Sequence, residues 1–352
     1  VVIEYLARLL ALPRAESRKI ASLCGEIEDW AALLGAAAEH GVYAAAGARA
    51  LPYLPDSLRP LVARALAALS LRDAYLLNVL KEAVAALDAA GITAVALKGP
   101  IMAERLSPPD EPRASEDLDL LILPEQLEAA VEALGEMGYA PDPASLAKRS
   151  APQNPHLVLI RDRSVSLELH YRASADFSRP LEAAELVGRA SPFRSLRGFE
   201  IRVLAPEDEF LFLALHAAKH NFGLSQMYDL KLLIERFPEL GWSRLPSQIQ
   251  EARLDSVVYV ALERLKRLWG IAPRLDLSPN WVAARWGGWL ERRLEAAARG
   301  GRWRQTLAYA LLCDPLVLAP VVFAQRAGHF ALRMARRGQA SPCARKKRIG
   351  PE

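Results

Sequence analysis

Two aspartates one residue apart, Asp117 and Asp119 in the run EDLDLLIL, stand at the start of an apolar stretch that reads as a β-strand. Side chains alternate faces along a strand, so the two carboxylates share one face and Leu118 and Leu120 the other. Like charges this close repel unless a cation lies between them. Hard divalent ions such as Mg2+ take carboxylate oxygens and keep water positions free for phosphate. A second run, VSLELHY, follows the same logic: Val165, Leu167 and Leu169 face one way, Ser166, Glu168 and His170 the other. If the two strands are neighbours, Glu168 completes a three-carboxylate set. Such a set holds two metal ions for in-line phosphoryl or nucleotidyl transfer. His170 then lines the same face.

Other residues carry weaker signals. Arg113, just ahead of the acids, is either a solvated loop charge or a contact for a triphosphate. The run HAAKH sets His216 and His220 one helical turn apart but lacks the glutamate of a metalloprotease HExxH motif. The pair reads as structural, or as a polar lining above the core. Asp229, in MYDLKLL, reads as a cap or ion-pair partner rather than a catalytic group.

The elements that must position these residues follow from the periodicity. Residues 1–90 carry apolar positions at helical spacing almost throughout. The period then shortens. ITAVALKG is β-branched and apolar, PIMAERL is a short helix, and DLDLLIL is a second strand. Pro124 opens the helix PEQLEAAVEALGEMG at its favoured first position. A Pro- and Ser-rich connection over 141–155 leads to the strands HLVLI and VSLELHY, and FEIRVL (199–204) adds another. From Pro206 onward the pattern is helical again. The expected fold class is α+β: a small mixed-sheet core over 91–205, flanked by helical regions at 1–90 and 206–323. A basic tail follows over 324–352, expected to be flexible beyond residue 337.

Composition restricts the alternatives. The formal net charge is +4, but residues 324–352 hold eight basic residues against one acid. That net of +7 leaves −3 for everything before it, so the charge gives no reason to expect a specific nucleic-acid partner. Three widely spaced cysteines exclude a CxxC zinc knuckle and fit a reducing cytoplasm. The opening VVIEYLARLLALP carries Glu4 and Arg8 within its apolar part and reads as an amphipathic helix rather than a signal peptide. The run LAYALLCDPLVLAPVVF (307–323) is too short and too interrupted to span a bilayer. It reads as a buried helical pair, with docking on a membrane surface the less favoured reading.

The ordered runs ALKGPIMAERL, RASEDLDLLIL, LEAAVEALGEMGY, VSLELHYR and FLFLALHAAKHNFGLSQMYDLKLLI resemble an uncharacterised nucleotidyltransferase family, often labelled type 5. It belongs to the polymerase-β-like nucleotidyltransferase superfamily, and the resemblance runs from about residue 27 to residue 270. It implies that Lys98 and Gly99 form the turn that holds the nucleotide phosphates. Asp117 and Asp119 would be the first two metal ligands and Glu168 the third. Pro100 departs from the Gly or Ser that usually follows this glycine and removes one backbone N–H, so Lys98 would supply charge instead. The third acid is Glu where Asp is commoner.

Together these readings imply a nucleotidyltransferase using two Mg2+ ions, or Mn2+ in their place. It would move a nucleoside monophosphate from NTP to a hydroxyl of a small molecule or protein and release pyrophosphate. Lys98, Gly99 and Arg113 would bind the triphosphate. The alternative, prompted by Pro100, is a nucleotide-binding or scaffold protein that keeps the fold with weak catalysis.

Overall fold

The computed structural model describes residues 2–324 except 109, 110, 114, 116, 148, 150–153, 162–164, 174–180, 243, 274, 298–305 and 308, and only the backbone of 290–297. Five helices come first: α1 (Val2–Ala11), α2 (Ser17–Gly25), α3 (Trp30–Glu39), α4 (Tyr43–Ala50) and α5 (Arg59–Ala89). Asp29 caps α3, its carboxylate accepting from the Ala32 N–H at 2.9 Å. The mixed part follows as β1 (Val95–Ala96), α6 (Pro100–Leu106), β2 (Asp117–Leu121), α7 (Leu127–Gly135), β3 (Ala140–Pro141) and α8 (Pro143–Leu146). It continues as β4 (His156–Arg161), β5 (Val165–His170), α9 (Ala183–Arg189), β6 (Ser191–Arg194) and β7 (Glu200–Val203). The chain then runs through α10 (Pro206–Lys219), α11 (Leu224–Arg236), α12 (Leu245–Glu251), α13 (Asp255–Trp269) and α14 (Trp281–Ala297).

Seven strands form one mixed sheet in the order β3-β4-β5-β2-β1-β7-β6. The expected α+β architecture, a mixed-sheet core flanked by helices, is therefore present. Its edges hold more than the sequence reading found. The stretch expected as one strand over 199–204 is half of a hairpin, with β6 paired antiparallel to β7. The turn between them is closed by Gly198 at a φ of 78°, a conformation open to glycine at little cost. Within the Pro- and Ser-rich connection, Asp142 caps the one-turn α8 by accepting from the Ser145 N–H. Conversely, ITAVALKG yields only two paired residues, Val95 and Ala96, before the chain turns into α6.

The two faces of the sheet meet different cores. Leu118, Leu120, Leu167 and Leu169 pack with Leu157, Leu159 and the buried faces of α5 and α7. The opposite face, which carries Leu121 and Val95, meets a larger cluster built from α1–α4 and α10–α13. The helices of both chain ends thus share one core. The Trp269 indole N–H donates to the Ala7 carbonyl, tying α13 to α1. Tyr309, Ala310, Leu312 and Cys313 are buried in the same cluster, whereas Leu307, Val317 and Val321 of the 307–323 run are exposed, so the run is buried only in part. Asp314, which interrupts that run, accepts from the Ser256 N–H and hydroxyl. No helix among the described residues is long and apolar enough to cross a membrane. The basic tail beyond residue 324 lies outside the described residues.

A buried ion pair ties the helix after β1 to the helix after β7. Arg105 of α6 meets Glu209 of α10 at 2.7 Å, with Glu209 only 2% exposed. Burial pushes the Glu209 carboxyl up to about 6 from an ordinary 4.5, outweighing the opposing pull of Arg105. Between those two values the folded chain keeps a proton that the unfolded chain has released. Stability must therefore fall as pH rises through this window, by about 2 kcal/mol. The Asp73 carboxyl, also pushed up to about 6 by burial, acts with the same sign. Glu209→Gln should flatten, without abolishing, the fall in unfolding temperature between pH 4.5 and 6.5. An unchanged slope in calorimetry would remove Glu209 from this account.

Candidate active site

The site begins with a backbone turn. Leu97 donates its N–H to the Asp119 carbonyl at 3.1 Å, carrying the β1–β2 ladder one bond beyond β1. Gly99 then adopts φ 75°, and a Cβ there would lie 3.2 Å from the Asp117 carbonyl oxygen. Any other residue would meet both backbone strain and that close approach, so glycine is required. Pro100 occupies the first turn of α6, where its missing N–H costs the helix nothing.

The acids come from adjacent strands in matching register. β2 pairs parallel to β5, with Asp119 directly opposite Glu168 and Asp117 opposite Ser166. This neighbour relation was the condition under which Glu168 could join the aspartates. Asp119 is 2% exposed, and Asp117 is half-buried beside it. The Lys98 ammonium lies 3.1 Å from Asp119 Oδ1. The His170 Nε2 lies 3.1 Å from the same oxygen and 3.3 Å from Glu168 Oε2.

These contacts divide the carboxylates into two kinds. Burial works against charge on Asp119, but Lys98 and His170 outweigh it and hold the carboxyl well below its usual range. Glu168 behaves likewise: burial opposes its charge, but the hydrogen bond from His170, with the nearby imidazoles, lowers its carboxyl below the usual range. Asp117 goes the other way, pushed up by burial and then by the charge of Asp119, with only partial relief from Lys98. The crowding inferred from sequence therefore bears on Asp117, whereas Asp119 is compensated. Lys98 stays charged, since its three carboxylate neighbours outweigh its burial. His170 is raised in the same manner, Asp119 and Glu168 overcoming the burial that opposes its charge.

Further residues close the site. His216, on α10, is driven well below the ordinary histidine range by burial and then by the nearby Lys98 charge, so it faces the site as a neutral ring. His220 packs against it with ring centroids 4.5 Å apart. Arg113 forks onto Asp229 of α11 through two bonds of 2.9 and 2.7 Å. That bidentate pair anchors the segment leading into β2 and gives Asp229 the ion-pair role expected of it. His156 was absent from the sequence reading. It begins β4 directly opposite His170 on β5, with ring centroids 4.8 Å apart. Burial and the charge of His170 push it down to about 4. Alternation in HLVLI could have placed it on the acid face, had the β4–β5 pairing been known.

The donor set suits hard divalent cations. Three carboxylates converge on one face, the Asp119 Oδ2 is buried with no hydrogen-bond partner, and Asp117 lacks full compensation for its charge. An orphaned carboxylate oxygen in the interior is costly unless a cation or donor meets it.

A family model described as uncharacterised nucleotidyltransferase matches residues 26–270. No curated protein matches the sequence. Five chains of solved structures are similar. One is the solution structure of the antibiotic-resistance factor ANT(2'')-Ia, at 14% identity and a TM-score of 0.37, covering 55% of this chain and 98% of that one. A likeness that slight bears on neither site nor substrate.

Proposed function

Because the chain belongs to the uncharacterised nucleotidyltransferase family, we propose that it transfers a nucleoside monophosphate from NTP to a hydroxyl of a small-molecule or protein acceptor, with release of pyrophosphate. The observation that carries this reading is the register that sets Asp119 opposite Glu168, with Asp117 on the same face. Asp117, Asp119 and Glu168 would hold two Mg2+ ions, or Mn2+. Bound there, the ions would neutralise the triphosphate and favour the ionised form of the acceptor hydroxyl.

The chain's own groups account for the rest. Lys98 is a fixed positive charge beside the acids, suited to a phosphate oxygen as a point charge. Gly99 lets the backbone approach a phosphate where a side chain would intrude. Glu168, kept ionised by His170, can take the proton of the attacking hydroxyl. His170 and His216 adjoin the acids, while Arg113, forked onto Asp229, holds the segment that leads into β2 and would add its charge to the triphosphate side. A second reading has its own observation: Lys98 and His170 already sit on Asp119 Oδ1 and supply the charge a cation would bring. On that reading the chain binds nucleotide and turns over weakly.

Thermal unfolding with each NTP, with and without Mg2+, tests both. A ligand that binds only the folded state at a hundredfold excess over its Kd stabilises it by about 2.7 kcal/mol. A rise of several degrees that requires Mg2+, followed by label transfer from [α-32P]NTP to a component of fractionated lysate, is the expected outcome. A shift without label transfer or pyrophosphate release favours the second reading, and no shift with any nucleotide overturns both.

A further inference from the structure

We propose that His156, Glu168 and His170 form a site for one borderline transition-metal ion of the Zn2+ and Co2+ class, adjoining the aspartate pair. The inference rests on strand register and donor chemistry rather than on nucleotidyl transfer, although it shares Glu168 with that reading.

The geometry is that of a rigid sheet. His156 and His170 are a directly opposed cross-strand pair in the antiparallel β4–β5 ladder. Glu168 lies two residues before His170 and so projects from the same face. One ligand atom from each of the three falls within 4.8 Å of the others. The Glu168 Oε2 is 3.3 Å from His170 Nε2 and 3.7 Å from His156 Nδ1. Donors on a tetrahedron of bonds near 2.0–2.1 Å are separated by about 3.4 Å, so the first two spacings already suit a shared ion.

Polar satisfaction supplies independent evidence. The His156 Nδ1, the ring atom nearest Glu168 Oε2, is buried and lacks a hydrogen-bond partner. His170 as a residue is only 6% exposed. Buried nitrogens without a partner are rare unless something outside the protein meets them. The side chains of His156 and Glu168 each retain 21% exposure, which leaves a path for an ion and an open fourth position for water or substrate.

Donor type separates this site from its neighbour. Two imidazoles and one carboxylate favour Zn2+, Co2+ or Ni2+, whereas Asp117 and Asp119 offer oxygen alone and favour Mg2+. The two would sit side by side along the face, and occupancy of one need not require the other.

The test uses the full chain stripped with chelator and titrated with Co2+, read by its visible ligand-field absorption. One equivalent should bind, be displaced by Zn2+ and persist in millimolar Mg2+. His156→Ala should weaken Co2+ binding by on the order of 100-fold, since even outer partners of ligands change affinity ten- to a hundredfold. Asp117→Asn should leave the affinity within about threefold, because Asp117 is not among the three donors. Displacement by Mg2+, equal losses in both variants, or no bound Co2+ in the wild type would each overturn the proposal. The Mg2+ competition needs no variant, so it decides the matter even if His156→Ala fails to fold. Co2+ binding without nucleotide transfer would leave this inference standing while the transfer reading fell, and the converse result would do the reverse.

Discussion

Asp119→Asn is expected to abolish nucleotidyl transfer and to lower the unfolding temperature, whereas Asp117→Asn should abolish transfer and raise that temperature in metal-free buffer. The shared loss follows from the assigned role. A group that fixes charge around the transferring phosphoryl acts mainly in the transition state, and its removal costs on the order of 10³-fold. The opposite stability effects follow from the contacts. Asp119 has no exposed side-chain surface and is met by both Lys98 and His170. Replacing it by a neutral amide leaves the buried Lys98 charge without its nearest counter-charge and takes from His170 a hydrogen-bonding carboxylate, at a cost of about 3 kcal/mol. Asp117 suffers repulsion from Asp119 and Glu168, with Lys98 as partial relief, so neutralising it removes a penalty. The measurements are thermal unfolding in chelator and pyrophosphate release with NTP. Full activity in either variant would sink the metal-ligand assignment, and a fall in stability for Asp117→Asn would sink the charge argument.

Glu111→Ala should be the most damaging substitution outside the site. Glu111 is 4% exposed and accepts from Arg49 at 2.6 Å and from the Tyr228 hydroxyl at 3.0 Å. Arg49, 5% exposed, also donates to that hydroxyl at 2.9 Å. The triad joins α4, the segment before β2 and α11. Removing Glu111 leaves a guanidinium charge in the interior without its counter-charge, which typically costs about 3–5 kcal/mol. Replacing both members of the pair, as in Arg49→Met with Glu111→Leu, should recover most of that loss, because no uncompensated charge remains. Chemical denaturation of Arg49→Met, Glu111→Leu and the double variant provides the cycle, with Glu111→Ala measured beside it. A loss below about 1 kcal/mol for Glu111→Ala, or a double variant no better than the single, would show that the pair is not energetically closed in the way described.

Much of the site's logic was legible in one dimension because strand alternation is local. Asp117 and Asp119 share a face, and Ser166, Glu168 and His170 share another, whatever the rest of the chain does. The apolar positions between them, Leu118, Leu120, Leu167 and Leu169, do fill the core beneath α5 and α7. Gly99 was singled out through the family resemblance, and its positive φ against the Asp117 carbonyl gives the physical reason for glycine there. The helical flanks were equally legible, since an apolar stripe at a period of 3.6 needs only nearby residues to define it.

What lay beyond the sequence was every relation that depends on which elements become neighbours. Alternation could not say that β5 lies beside β2 in parallel, nor that Asp119 rather than Asp117 receives Lys98 and His170. His156 gained meaning only when β4 folded back antiparallel and set it across from His170. The β6 half of the hairpin was missed because its four residues, SPFR, are largely exposed and show no apolar alternation. Arg113 read as a loop charge or a triphosphate contact, and alternation gave no sign of Asp229, its ion-pair partner on α11, 116 residues away in sequence. Local geometry follows from each residue and its immediate neighbours. Charge compensation depends on distance through space, so the tertiary fold decided that Lys98 and His170 offset the charge of Asp119 while Asp117 is left with only partial relief.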